Sequence, residues 1–266
     1  MAGRLQDKVA IVTGAAKGLG AADARLFARE GAAVIIADVD AENGEALAAD
    51  IGPGAIFMPL DVRDEAAWQD LIEAVMARFG RLDILVNNAG VVEVGTPETI
   101  TEKDYRFVMG VSIDGTVWGC KHAIPAMSRG GGGSIINMAS IASVQGEPYV
   151  AAYCAAKGAI ESYTRAVAVH CAQHQLGIRC NSVHPAGIDT PMVQSMPGKI
   201  AESTIRPTVA ADNGPTPNAL GEPNDIAHLI VYLAADESRF VSGQKFVIDN
   251  TISITSGQVP GGRASG

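Results

Sequence analysis

"IVTGAAKGLG", residues 11–20, is a buried strand running into a glycine-rich turn. Ile11, Val12 and Thr13 end the strand, Gly14, Gly18 and Gly20 follow, and an apolar helix starts at Leu19. A helix beginning there turns unpaired backbone N–H groups and the positive end of its dipole toward an anion, and glycine lets a phosphate approach the backbone. The NTPase phosphate loop is excluded, because Lys17 precedes Gly18 and no Gly-Lys-Ser/Thr follows. A dinucleotide is the better fit. The next apolar run, "AAVIIADVD", ends its strand at Asp38, 18 positions beyond Gly20 and near the spacing at which a carboxylate meets the adenosine ribose. That acid accepts from both ribose hydroxyls and repels a 2′-phosphate, which favours NAD over NADP. Lys17 argues mildly the other way, as a cation beside that phosphate.

Working outward, Val/Ile-rich strands are predicted near 8–13, 33–38, 56–59, 83–87, 133–139, 178–184 and 245–248. Helical patterns fill 18–30, 41–50, 64–79, 101–128, 150–174 and 223–235. This alternation predicts one α/β domain, 1–266, with a doubly wound parallel sheet whose ligands bind beyond the strands' carboxyl ends. The chain has 266 residues, is 47% hydrophobic and carries a formal charge of −9, which argues against nucleic acid as a partner. With neither a leader pattern nor an apolar run of about 18 residues, a soluble cytoplasmic protein without membrane contact is expected. Cys120, Cys154, Cys171 and Cys180 form no CxxC pair and are expected as free, packed thiols. His170 and His174 lack a nearby third ligand, so no metal site is expected.

Chemistry gathers after the fifth strand. "SIINMASIAS" sets Ser140 at its exit, and "YCAAK" sets Tyr153 and Lys157 one helical turn apart on one face. Of five tyrosines, only Tyr153 has a lysine four positions on. An adjacent ammonium is expected to lower the phenol's pKa from about 10, suiting it to take a proton from an alcohol whose carbon gives up hydride. A packed tyrosine beside a snorkelling lysine is the structural alternative.

These residues resemble the short-chain dehydrogenase/reductases along nearly the whole chain: "TGAAKGLG" matches TGxxxGxG, "NNAG" at 87–90 matches the fourth-strand motif, and Ser140, Tyr153 and Lys157 match the catalytic Ser and YxxxK. The resemblance implies a seven-stranded Rossmann-type sheet and a homotetramer paired through the helices at 101–128 and 150–174. It implies contacts from Asp61 and Val62 to the adenine and from Asn88, Ala89 and Gly90 on the adenosine side. Pro185, Gly187, Ile188 and Thr190 would touch the nicotinamide half, and Lys157 its ribose. Two departures stand out. In "VSIDG", Ser112 replaces the usual relay asparagine, and in "HPAGIDT", Ala186 precedes Gly187.

Residues 191–220, rich in Met, Pro, Gly and Thr without a clean helical stripe, are expected to form a lid, with Met192 and Met196 as pliant lining. The absence of Arg or Lys between Gly187 and Gly198 disfavours a strongly anionic substrate, although Lys199 and Arg206 are close. Several stretches are similar to bacterial 3β/17β-hydroxysteroid dehydrogenases and related enzymes of cyclic alcohols, implying a bulky apolar secondary alcohol or its ketone. An NADPH-dependent carbonyl reductase and a non-catalytic nucleotide-sensing or scaffold protein are the alternatives.

Overall fold

The computed structural model describes residues 3–202 and 220–254. Seven strands, β1 (Val9–Thr13), β2 (Ala33–Asp38), β3 (Ala55–Pro59), β4 (Ile84–Asn87), β5 (Gly133–Met138), β6 (Ile178–Pro185) and β7 (Lys245–Ile248), form one sheet. Its order is β3-β2-β1-β4-β5-β6-β7 and every pairing is parallel. The single Rossmann-type α/β domain is the expected one.

Strand side chains alternate between two cores. Val12, Ile36 and Val86 face a cluster with Phe27, Ile226 and Ile230, which belong to helices α1 (Gly18–Arg29) and α8 (Pro223–Ala234). Ile11, Ile35 and Leu85 face the other cluster, with Trp68 and Val75 of α3 (Glu65–Phe79), Met127 of α5 (Gly115–Arg129) and Cys171 of α6 (Ala151–Gln173). Both faces are therefore covered, which explains the unbroken Val/Ile runs. Strand order reverses at β1, which lies between β2 and β4, and the crevice opens beyond its carboxyl end. Local signals fix the ends: Asp40 caps α2 (Ala41–Ile51), Asp64 caps α3 through the Ala66 amide at 2.9 Å, and Thr101 caps α4 (Glu102–Met109).

Two expectations need correction. The helix predicted over 101–128 is α4 and α5 joined by a π-helical turn, Gly110–Asp114. There the Thr116 hydroxyl donates to the Ser112 carbonyl at 2.7 Å, and Gly115 packs so tightly that a Cβ would stand 2.8 Å from Val62 Cγ2. The stretch after Thr190, expected to lack a helix, forms α7 (Pro191–Glu202), with proline at the position where its missing N–H is harmless. The rest of the predicted lid, 203–219, lies outside the described residues. Among the described residues no helix is long and apolar enough to cross a membrane.

Asp23, on α1, is fully buried, and among the described residues neither carboxylate oxygen has a hydrogen-bond partner. Burial raises its pKa well above the usual carboxylate range. A folded-state pKa above the unfolded one means a stability contribution complete below the unfolded value and lost as pH rises through the folded one. Asp23→Ala is therefore expected to stabilise the fold by about 1–3 kcal/mol at pH 8 and by less at pH 5, read from denaturant midpoints at the two pH values.

Candidate active site

The ends of β1 and β4 are clasped together. Thr13 Oγ1 accepts the amides of Asn88 at 3.0 Å and Ala89 at 3.1 Å, while Asn88 Nδ2 donates to the carbonyls of Thr13 and Gly14 at 2.9 and 3.1 Å. This clasp accounts for two of the three glycines. Gly14 has φ +61° and a Cβ there would lie 2.8 Å from Ala89 Cα. At Gly20 it would lie 2.6 Å from both Asn88 Nδ2 and the Gly14 carbonyl oxygen. Both are therefore required by packing within the protein, and Gly14 lines the groove as well. At Gly18, φ +58°, a Cβ meets Thr190 across the groove at 3.5 Å, so this is the glycine that keeps the cleft open. α1 starts there, and Lys17 precedes it without a side-chain cap, leaving the first turn free to receive an anion.

Asp38 ends β2 with its carboxylate accepting the Ala16 amide at 2.9 Å and the Asp40 amide at 3.0 Å. Lys17 is paired with Asp40 at 2.6 Å, and that hydrogen-bonded ammonium holds the Asp40 carboxyl down at about 2. Asp61 is paired with Arg63, whose Nε donates to its Oδ1 at 2.9 Å; the guanidinium lies 5.6 Å from the centroid of Phe107.

At the other end, Ser140 leaves β5 and caps a 3₁₀ turn, accepting the Ala142 amide at 3.2 Å. Tyr153 reaches the Ser140 side chain from α6. Lys157, only 3% exposed, donates to the Met138 carbonyl at 2.6 Å and lies 5.4 Å from the Tyr153 ring centroid. A Cβ on Gly90 would come within 3.3 Å of the same Nζ, so glycine leaves the ammonium its room. Burial lowers Lys157 to about 8 and raises the Tyr153 phenol, whose bond to Ser140 acts against that rise. The lowering expected from Lys157 is thus not found for the protein alone: desolvation of the phenol dominates, and the hydrogen bond to Ser140 is what acts against it.

These groups line one groove, a cavity of about 510 Å³. It holds Gly14, Lys17, Gly18, Leu19, Asp38, Asp61, Val62, Asn88, Ala89, Gly90, Ser140, Tyr153, Lys157, Pro185, Ile188 and Thr190, and the substituted Ala186. Three predicted residues lie off its wall. Gly20 is packed under Asn88, and Gly187 sits behind the groove, where a Cβ would meet Leu220 Cδ2 at 2.9 Å. Ser112 is fully buried in the π-helical turn, its hydroxyl unpartnered among the described residues.

A family model described as enoyl-(acyl carrier protein) reductase, of the short-chain dehydrogenase type, matches residues 14–252. The chain belongs to the short-chain dehydrogenase/reductase family. Among similar proteins, the NADP-dependent (R)-specific alcohol dehydrogenase of Lentilactobacillus kefiri is 40% identical over 94% of this chain and 98% of its own. The 3-beta-hydroxysteroid dehydrogenase of Comamonas testosteroni is 40% identical, over 95% and 98%. The trans-4-hydroxycyclohexanecarboxylate dehydrogenase of Sinomonas cyclohexanicum is 37% identical, over 92% and 93%. These relatives are oxidoreductases, and alcohol or hydroxysteroid dehydrogenase activity of this family's type is what they indicate.

For this short-chain dehydrogenase/reductase, sequence reasoning missed Val39, Arg63, Phe107 and Val193, all of which line the groove. Arg63, two positions after Asp61, and Val39, next to Asp38, were open to prediction; Phe107 and Val193 lie on α4 and α7 and depend on how those helices pack. The clasp predicts that Gly20→Ala costs about 1–3 kcal/mol by overpacking, seen as a lower unfolding midpoint with an undisturbed far-UV spectrum.

Proposed function

We propose that the chain interconverts a bulky, apolar secondary alcohol and its ketone with NAD(H). The observation that carries this reading is the convergence of Ser140, Tyr153 and Lys157 at one end of a groove whose other end is Asp38. The free first turn of α1 and the opening kept by Gly18 fit a dinucleotide. When bound, it would accept hydride from the carbinol carbon or return it.

The protein's own residues divide the remaining work. Gly14, Lys17, Gly18, Leu19 and Gly20 form the pyrophosphate turn, Asp38 holds the adenosine ribose, and Asp61, Val62, Asn88, Ala89 and Gly90 flank the adenosine. Pro185, Gly187, Ile188 and Thr190 flank the nicotinamide, and Lys157 its ribose. Ser140 donates a hydrogen bond to the substrate oxygen. Tyr153 takes the carbinol proton during oxidation and gives it back during reduction, and Lys157 supports the phenolate formed in between. Ser112 sits at the family's relay position, where its backbone carbonyl is already engaged by Thr116.

Val91, Met192 and Val193 give the groove apolar walls. Lys199 offers an anionic substrate little, because its ammonium is bound to the Val92 carbonyl at 3.1 Å and to Glu93 at 3.3 Å. The names of the relatives, a hydroxysteroid dehydrogenase and a hydroxycyclohexanecarboxylate dehydrogenase, support a cyclic alcohol. In this reading α7 begins a lid over 191–220. A homotetramer fits the exposed apolar Val169 on α6 and the fully exposed Phe240.

The ion pair of Lys17 with Asp40 supports NAD, since it draws away the cation a 2′-phosphate would use. NADPH is the second reading, carried by the NADP dependence in the name of the L. kefiri relative. Wild type is expected to prefer NAD in kcat/KM, and Asp38→Ala to shift the ratio toward NADP by tenfold or more, a change of about 1.4 kcal/mol or above. A panel of cyclic alcohols followed by NADH absorbance tests the activity. Tyr153→Phe is expected to lower kcat by roughly 10²–10⁴; an unchanged kcat would remove Tyr153 from the chemistry, and NADH binding without any turnover would favour a nucleotide sensor.

A further inference from the structure

Behind Ser140 lies a chain of hydrogen bonds for which the mechanism above has no use. His184, the penultimate residue of β6, is fully buried. Its Nδ1 lies 2.7 Å from the Ser143 hydroxyl and its Nε2 lies 2.8 Å from the Ser182 hydroxyl. Ser143 Oγ in turn donates to the Ser140 carbonyl at 2.7 Å, and the Ser143 amide reaches the same carbonyl at 3.0 Å. A hydroxyl has one proton to give. Ser143 gives that proton to an oxygen, the Ser140 carbonyl at 2.7 Å or the Glu161 carboxylate at 3.3 Å, so it accepts from His184, and the ring carries its hydrogen on Nδ1 and takes the Ser182 proton at Nε2. Burial lowers the ring to about 4, which keeps it in this neutral form. Glu161 closes the group from α6, with Oε2 3.3 Å from Ser143 Oγ and 4.0 Å from His184 Nδ1. Its charge is taken up by Arg165 at 2.8 Å and Lys245 at 3.5 Å. Glu161 stands four residues beyond Lys157 and eight beyond Tyr153, on the same helix face.

We propose that His184 and Ser143 are positioning residues that fix the backbone of Ser140, and hence the aim of its hydroxyl, through the directed chain Ser182 to His184 to Ser143 to the Ser140 carbonyl. The proposal rests on Ser140 contacting the substrate. The 3₁₀ turn hangs between β5 and α6, and its first carbonyl accepts from the Ser143 amide, from the Ser143 hydroxyl and from His184, a side chain imposed from a neighbouring strand. Releasing that hold lets the turn drift, and small misplacements near reacting atoms are expensive in rate.

The test uses the full-length protein with NAD and an alcohol that it oxidises. His184→Leu and Ser143→Ala are each expected to lower kcat roughly tenfold while NADH affinity, followed by fluorescence, stays unchanged. His184→Asn, which keeps an N–H near Nδ1, is expected to recover most of the loss. The double variant should be no slower than the worse single one, since both cut one chain. A kcat within about twofold of wild type in both single variants, with only thermal stability reduced, would assign the cluster to packing and overturn the proposal. Multiplying losses in the double variant would overturn it as well. If His184→Leu does not fold, Ser143→Ala and His184→Asn decide the matter. Should Ser140→Ala itself retain full kcat, the assignment of Ser140 falls instead, and the two failures are told apart.

Discussion

A buried ammonium with no carboxylate partner among the described residues governs the Lys157 end of the groove. Lys157 is almost wholly removed from water, and its ammonium donates a hydrogen bond to the carbonyl of Met138. A charge in that position is costly unless the backbone around it is fixed. The last residue of β5 must therefore present its carbonyl to α6, and the loop after β4 passes close by, where a Cβ on residue 90 would crowd the lysine Nζ at 3.3 Å. The register of β4, β5 and β6 sets both, and the same register carries Ser140 to the strand exit. One unfavourable group thus locks together a strand end, a helix and a loop from three parts of the chain. Strand pairing maintains this geometry around Lys157 even with the lysine's pKa pulled down to about 8.

The opposite end is held by satisfied neutral hydrogen bonds. Thr13 and Asn88 tie the carboxyl ends of β1 and β4 together, at the point where strand order reverses. The crevice is therefore a fixed gap between two clasped loops, and the glycines at 14 and 20 are consequences of the clasp. One sequence motif meets two demands: Gly14 and Gly20 are required by the clasp, while Gly18 faces Thr190 across the groove that Gly14 also lines.

Much of this was legible in the chain because it obeys short-range rules. Val/Ile runs bounded by glycines gave the strands, their alternation with helices gave the sheet, and i, i+4 spacing put Tyr153 and Lys157 on one face. What escaped depends on contacts made far away in sequence. The π-helical turn at 110–114 arises where Gly115 meets Val62, a pairing that periodicity does not register. α7 forms in a stretch with no apolar stripe because a proline start and the Gln194 amide bond to the Thr190 carbonyl, 2.9 Å, suffice to begin it. The rise of the Tyr153 phenol was misjudged because an ion-pair argument in sequence leaves out the cost of burying both partners. His184 gives no local sign at all; its role becomes visible only when β6 is laid beside the turn after β5.

The charges at the adenosine end can be weighed together. Three carboxylates, Asp38, Asp40 and Asp61, line the groove there beside two cations, Lys17 and Arg63. Each cation is already matched, Lys17 with Asp40 and Arg63 with Asp61, and Asp38 is left with backbone amides as its donors. One uncompensated negative charge therefore marks this end. A ribose diol presents two donors to such a carboxylate at no electrostatic cost. A 2′-phosphate has to enter against Asp38 and gains a cation only by breaking an existing pair, so each attraction it finds is bought by exposing a second carboxylate. The Lys17–Asp40 pair is solvent-exposed and holds the ammonium only weakly, so the proposed preference for NAD rests first on the carboxylate of Asp38 and only second on the pairing around it.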